Sequence, residues 1–340
     1  MSVFTTEDLI ISKDAGRAVY KPGHNPTDKV PVGWGQRKLF LNEVSFLTTY
    51  YDPAEIGVCV YIGAAPGTHI SLVARMFPDL EFHLYDKSPF IIEDQPNITI
   101  FDEYYKLTTN KRYVDRDDVI FISDIRRSDY DILLDEFLAK LKKPYTKDNL
   151  KDAAEYATQK NEDFIKEDMK LQEDIVLKLN PAHCMLKFRL PYVIDDVVET
   201  YDYLRGKVYF QPWAKKNSTE ARLIPVRNNN GKYARGKWNT LEYEQWMRYH
   251  NIVTRRTGIY ENPLKETIVP IDGKELINDY DSTCEAFILK RYFEATDKKA
   301  GESEILKLSR ELTSVIQSDS NVDIQSNRDK ANIHNVFRPK

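Results

Sequence analysis

Three cysteines in 340 residues, Cys59, Cys184 and Cys284, stand far apart. An odd, dispersed set gives no disulfide framework and no metal-ligand spacing, so no metal is expected. Cys59 and Cys184 fall inside apolar runs and read as core. No run of 18 or more apolar residues occurs, which excludes a transmembrane helix from the expectations. Met1 to Arg17 is mixed and polar, without a signal-peptide pattern. These absences predict a reducing, cytoplasmic setting and no membrane partner. No internal repeat is visible either. With 41% hydrophobic residues the chain can still bury a substantial core.

The net charge of −4 does not advertise nucleic acid, but the distribution does. Arg205 to Arg256 holds twelve Lys/Arg and three acids, interleaved with Tyr209, Phe210, Trp213, Tyr233, Trp238, Tyr243, Trp246 and Tyr249. A phosphate backbone needs local positive charge, and bases stack on aromatic rings. A solvated, salt-laced face is the plain alternative. Lys147 to Asp174 has the opposite bias, with five lysines and nine acids.

The most specific segment lacks something too. An apolar run, Val58 to Ile62, stops at Gly63 and is followed by Ala64-Ala65-Pro66-Gly67-Thr68-His69 and a helical pattern, Ile70 to Met76. This is a strand–turn–helix junction of the kind that binds nucleotide-like ligands. The third glycine of a dinucleotide loop is missing, and no Gly-Lys-Ser/Thr follows as in a P-loop. Asp86 lies 23 residues past Gly63, after the apolar run Phe82 to Tyr85, where an acid can hold ribose hydroxyls. A G-x-x-P-G-x loop with that acid suits S-adenosylmethionine (AdoMet) better than NAD or ATP.

Strand signals fall at 57–62, 81–85, 97–101, 118–123, 182–189, 207–211 and 221–226, the last two as an antiparallel pair. Helical patterns occupy 34–50, 239–256 and 281–315, and 257–275 reads as loop. The long 124–182 crossover has a charged middle, about 146–175, that predicts a helix or helical pair decorating the sheet. The expected fold is α/β: a mostly parallel, twisted, doubly wound sheet with a terminal antiparallel hairpin and helices on both faces. One domain is expected over 31–315. Residues 1–30 read as an irregular leading segment and 316–340 as a polar, mobile tail.

Four ionisable residues fall where such a sheet faces its ligand. They are Lys38 in the first helix, Asp124 after the fourth strand, Lys187 inside the fifth and Glu220 at the start of the last. A lysine in an apolar strand is costly unless paired. A desolvated lysine beside another cation is easier to deprotonate and can act as a base on a hydroxyl. A structural ion pair is the alternative for each residue alone.

These segments resemble the poxvirus cap-specific mRNA (nucleoside-2′-O-)-methyltransferases, which are also the regulatory subunits of the viral poly(A) polymerase. The matching residues are Gly35-Gln36-x-Lys38-Leu39, Val60-Tyr61-Ile62-Gly63-x-Ala65-Pro66-Gly67-Thr68-His69-Ile70, Ile122-Ser123-Asp124-x-Arg126, Leu186-Lys187-x-Arg189-x-Pro191 and Glu220-x-Arg222-Leu223. They keep the family's order over roughly residues 20–250. The same K-D-K-E tetrad occurs in FtsJ-like RNA ribose methyltransferases.

The resemblance implies a Rossmann-like, AdoMet-dependent methyltransferase. Lys187 would be the base on the 2′-hydroxyl of the first transcribed nucleotide, with Lys38, Asp124 and Glu220 orienting it. AdoMet would meet Gln36, Tyr61, Gly63, Ala65, Pro66, Gly67, His69, Asp86, Phe101 and Asp124. The N7-methylguanosine cap would stack between Tyr20 and Tyr192, with Arg189, Ser218 and Thr219 near cap or RNA and Glu244 on the guanine edge. Capped mRNA and a poly(A) polymerase catalytic subunit are the implied partners, in the cytoplasmic factory or virion of a large DNA virus. The pattern departs at Ile194, where the family has an acid (Asp195 follows), and at Ser88, where it has an arginine. Little similarity extends beyond about residue 260. An internal ribose methyltransferase and a non-catalytic processivity subunit are the competing readings; a nicotinamide dehydrogenase is disfavoured, since the loop lacks the expected glycines and a lysine in that strand would have no evident task.

Overall fold

A computed structural model describes the chain except residues 13, 20–33, 115, 128–129, 142–143, 193–199, 216–217, 265–277, 297–300 and 317–340. The apolar runs become strands buried on both faces, as parallel central strands require. Seven strands form one sheet: β1 (Val58–Ile62), β2 (Glu81–Tyr85), β3 (Ile98–Phe101), β4 (Val119–Ser123), β5 (His183–Phe188), β6 (Gly206–Tyr209) and β7 (Ala221–Pro225). Their order is β3-β2-β1-β4-β5-β7-β6. β1 to β5 are mutually parallel, and β7 runs antiparallel to both β5 and β6. The expected terminal pair is therefore present, with its second strand inserted beside β5. This is the Rossmann-like methyltransferase architecture. The strand order reverses between β1 and β4, the switch point at which open α/β sheets bind ligands.

Alternate strand residues feed two separate cores. Cys59, Tyr61, Ile120 and Ile122 pack under α1 (Trp34–Tyr50), α2 (Ile70–Met76), α6 (Tyr280–Ala295) and the helix over 302–316. Val58, Val60, Val119, Phe121 and Leu186 face α4 (Lys147–Leu179) and α5 (Thr240–Tyr249). All three cysteines are buried and free. No helix among the described residues is long and apolar enough to cross a membrane.

The crossover holds α3 (Tyr130–Leu138), which the sequence reading missed, and then one 33-residue helix, α4. Thr146 and Asn149 cap its start, and Asn180, in the left-handed region, ends it. Ile165, Met169, Ile175, Val176 and Leu179 belong to the second core, so α4 is more than a decoration. Other differences follow the same logic. Ser2–Val3 pairs in parallel with Tyr260–Glu261, and Phe4 and Leu9 are buried, so the leading residues are not irregular throughout. The helical pattern over 281–315 gives two helices, and a polar ribbon, Thr200–Leu204 with Arg235–Asn239, was not anticipated. Tyr20, Ile194, Asp195 and the tail from 317 lie outside the described residues.

Candidate active site

The loop after β1 is shaped by its glycines. Gly63 has φ +71°, and a Cβ there would come within 2.7 Å of the Ile125 backbone N. Only glycine lets the loop pass so close to the chain leaving β4. Gly67 also has φ +71°, and the Ala65–Pro66 peptide is cis. Asp86, just past β2, accepts from the N–H groups of Ala65 (3.2 Å) and Ser88 (2.9 Å). Phe101 ends β3, its ring stacked on Tyr85 at 4.5 Å.

Below the loop lies a buried polar chain. His69 bridges Gln36 and Glu43, with Nδ1 2.7 Å from Gln36 Oε1 and Nε2 2.9 Å from Glu43 Oε1. The Tyr61 hydroxyl donates to Glu43 at 2.7 Å, and Thr68 donates to Gln36 at 3.1 Å. Burial and then Glu43 raise the Tyr61 phenol well above its ordinary range, so it remains a donor. Two residues expected near AdoMet, Tyr61 and His69, thus share one carboxylate, Glu43, that the sequence reading passed over, and His69 links Gln36 to it.

Beside the switch point, Lys38, Asp124, Lys187 and Glu220 converge. Lys38 Nζ is 2.6 Å from Glu220 Oε1. Lys187 Nζ lies 3.2 Å from Asp124 Oδ1 and 3.4 Å from Glu220 Oε2. Arg222 completes the group: it stands opposite Lys187 across β5 and β7, which puts both side chains on one face. Its Nη1 meets Asp124 Oδ1 at 2.6 Å, and its Nε donates to Gln211 Oε1 at 3.1 Å. Gln211 in turn donates to the Glu220 carboxylate and carbonyl.

Charge decides the protonation here. Burial alone would raise Asp124, but Arg222, Lys187 and Lys38 outweigh it and hold the carboxyl below its ordinary range. Burial likewise works against Glu220, and Lys187, Lys38 and Arg222 keep it well below. Lys38 is lowered by burial; Glu220 opposes this, while Lys187 and Arg222 add to it. Both depressed carboxyls stabilise the fold above their unfolded values of about 4, and this is lost as pH falls through the folded values. The depressed Lys38 acts the other way, its cost fading only toward pH ~10. Denaturation midpoints should therefore hold steady from pH 7 to about 5 and fall steeply below about 4. An unchanged midpoint at pH 3 would contradict this charge arrangement.

A third group faces outward. Tyr192, 38% exposed, lies with its ring 3.8 Å from the Arg189 guanidinium. Glu162 of α4 accepts from Arg189 Nη2 (2.6 Å) and from the Tyr192 N–H (3.0 Å). The Thr219 hydroxyl donates to Tyr192 Oη at 3.4 Å. Ser218 accepts the Glu220 N–H. Glu244 sits on α5, next to Tyr243, whose hydroxyl donates to the Thr219 carbonyl at 2.5 Å.

A model of the family described as poly(A) polymerase regulatory subunit matches residues 6–317. The chain belongs to this family. It is 28% identical over 236 residues to a cap-specific mRNA (nucleoside-2′-O-)-methyltransferase of fowlpox virus (strain NVSL), covering 66% of this chain and 68% of that protein. It is 30% identical over 248 residues to the protein of the same name from myxoma virus (strain Lausanne), covering 68% and 64%. The match thus spans about two thirds of each relative, and the identity makes this a divergent family member. The family match also reaches past residue 260, into α6 and the helix over 302–316, where the motifs alone were silent.

Sequence reasoning missed Arg222, Gln211 and Glu43 as parts of the site. Arg222 carried a signal, a cation inside the apolar run Ala221 to Pro225, of the same kind that singled out Lys187. Gln211 and Glu43 carried none.

Proposed function

We propose that this family member is a cap-specific mRNA 2′-O-ribose methyltransferase. It would transfer methyl from AdoMet to the 2′-hydroxyl of the first transcribed nucleotide of N7-methylguanosine-capped RNA. The observation that carries the reading is the meeting of Lys38, Asp124, Lys187 and Glu220 one strand away from the Gly63–Gly67 loop. The printed activity of the viral relatives points the same way.

The residues at the loop fit AdoMet. A Cβ at Gly67 would lie 3.0 Å from the Ala64 carbonyl and 2.7 Å from Ile92 Cδ1, so the cradle depends on glycine. Each Asp86 oxygen accepts one backbone N–H and keeps a lone pair for a ribose hydroxyl. Gln36, His69 and Tyr61, joined in a chain through His69 and Glu43, would form the floor, with Ala65 and Pro66 in the loop, Phe101 toward the base and Asp124 toward the reacting end. AdoMet supplies an electrophilic methyl group on a sulfonium.

Lys187 takes the proton of the ribose hydroxyl at Nζ. Asp124 and Glu220 fix that nitrogen from two sides, and Lys38 balances Glu220. Fully ionised, Lys38, Lys187 and Arg222 exceed Asp124 and Glu220 by one charge. Arg126 adds a further positive charge beside Glu220, so loss of one amine proton relieves an excess of cations in a desolvated site. The cap would stack on Tyr192, with Tyr20 as the second ring and Arg189, Ser218, Thr219 and Glu244 around it.

The test is transfer of labelled methyl to matched RNAs bearing an N7-methylated cap, an unmethylated cap or a triphosphate. Label on the first nucleotide's 2′-oxygen, only with the methylated cap, is the expected result. Label on uncapped RNA would make the protein an internal ribose methyltransferase. Tyr192→Ala should weaken binding of capped RNA by about tenfold, the scale of one stacking contact, and of uncapped RNA far less. Equal losses in a binding titration would remove Tyr192 from the cap slot.

A second reading is an RNA-binding processivity subunit of a poly(A) polymerase, alone or as a second role. The family description supports it, as do the exposed Arg205, Lys207, Lys232 and Lys237 around the polar ribbon. Stimulation of a polymerase by a variant lacking Lys187 would separate the two roles.

A further inference from the structure

A heavily bonded carboxylate away from the tetrad is Glu285 on α6, with no exposed surface. Its Oε2 accepts from Arg37 Nε (2.8 Å) and from the Trp213 indole N–H (2.8 Å). Its Oε1 accepts from Arg37 Nη2 (2.5 Å) and the Ser309 hydroxyl (2.7 Å). Arg37 reaches Ser309 and Thr313 as well. One anion therefore ties α6 and the helix over 302–316 to two segments that feed the tetrad.

The first segment is the start of α1. Arg37 stands between Gln36 and Lys38, so anchoring its guanidinium fixes the rotation of that helical turn. The second is the turn after β6. Trp213 has φ +61°, a conformation that a bulky residue adopts only when its surroundings enforce it. Its backbone N–H donates to Asp281 (2.9 Å) and its ring to Glu285, both on α6. Two residues earlier, Gln211 holds Glu220 and Arg222. Lys38 and Glu220 thus reach their 2.6 Å contact from opposite sides of the same brace.

We propose that Glu285 is a positioning residue for the tetrad: through Arg37 and Trp213 it sets the Lys38–Glu220 contact from outside the site. It touches none of the reacting groups. The inference rests on reading the tetrad as the methyl-transfer site, and the test separates the two.

Lys38 faces Glu220 beside β7, Lys187 on β5 and Arg222 on β7, and its titration reports whether it stays among them. The full-length protein, ¹⁵N-labelled at lysine, is titrated by NMR as wild type and as Glu285→Gln, with Lys38→Arg assigning the resonance. A second variant, Arg37→Leu with Glu285→Leu, replaces the buried pair by apolar groups, an exchange that generally preserves stability. In both variants Lys38 should titrate at higher pH than in the wild type. Turnover with capped RNA should fall by about tenfold to a hundredfold, the scale of a 1 Å misplacement, with little change in KM for RNA. A structural brace alone would leave Lys38 unmoved, and the double variant would regain turnover along with its melting temperature. That result overturns the proposal. A Lys38 shift in a protein whose wild type transfers no methyl to any RNA would uphold the brace and remove the methyltransferase reading instead.

Discussion

Lys187→Ala should abolish methyl transfer and leave AdoMet binding nearly unchanged. A positioned general base is worth about 10²–10⁴-fold, and this one touches both carboxylates of the site, so the loss should lie at the upper end. AdoMet affinity should survive because the glycine loop, Asp86 and the Gln36–His69–Glu43 chain are spared, and Asp124, the one expected cofactor residue that Lys187 meets, keeps Arg222. Single-turnover transfer and equilibrium AdoMet binding on one preparation check both halves. Lys38 competes for the role of base, since burial lowers its proton affinity. Lys38→Arg decides between them: arginine keeps the charge beside Glu220 but does not deprotonate. Substantial turnover in that variant, beside an inert Lys187→Ala, assigns the base to Lys187. Near wild-type turnover in Lys187→Ala would end the assignment.

Arg222→Leu carries the largest expected cost to stability. Arg222 is 1% exposed and holds Asp124 at 2.6 Å. The two carboxylates and Asp124 in particular push its own proton affinity up against burial. Its removal leaves Asp124 buried against a single lysine, and breaking a buried pair from one side costs about 3–5 kcal/mol. Without Arg222 only Lys187 and Lys38 oppose the effect of burial on the Asp124 carboxyl, so it protonates at higher pH. The loss should then be largest at neutral pH and shrink as pH drops toward 4, the ordinary carboxyl range. Guanidinium denaturation at pH 7 and pH 4.5 measures both. A loss under about 1 kcal/mol, the level of an exposed pair, would show that Arg222 is dispensable to the site.

The sequence made the frame legible where one residue type has one physical use. Apolar runs such as Val58 to Ile62 and Val119 to Ser123 had nowhere to go but a sheet buried on both faces, and their bounds were met within a residue or two. Gly63 was readable because a left-handed turn beside a close backbone admits little else. Lys187 stood out as an ammonium amid apolar neighbours. The polar ribbon was hidden for the opposite reason: Arg235–Asn239 alternates only between exposed and half-exposed, so no apolar period marks it, and its partner strand lies some thirty residues upstream. Nothing local in the sequence marks Glu43 or Glu285. Their burial depends on donors from distant elements, Tyr61 and His69 for one, Arg37, Trp213 and Ser309 for the other, and no local pattern encodes that.

The helix α4 bears on how the chain folds. β4 and β5 lie side by side, yet theirs is the longest connection between consecutive strands. A flexible loop of that length must surrender much conformational entropy before the strands reward it. At about 1.5 Å per residue the 33 residues of α4 form a rod near 50 Å long. Its capping box and internal Lys–Glu spacing favour it from local contacts, leaving one short connector and one segment that holds α3 in place of a floppy excursion. The helix-forming tendency of a highly charged segment that holds none of the tetrad thus governs how soon the central strands meet.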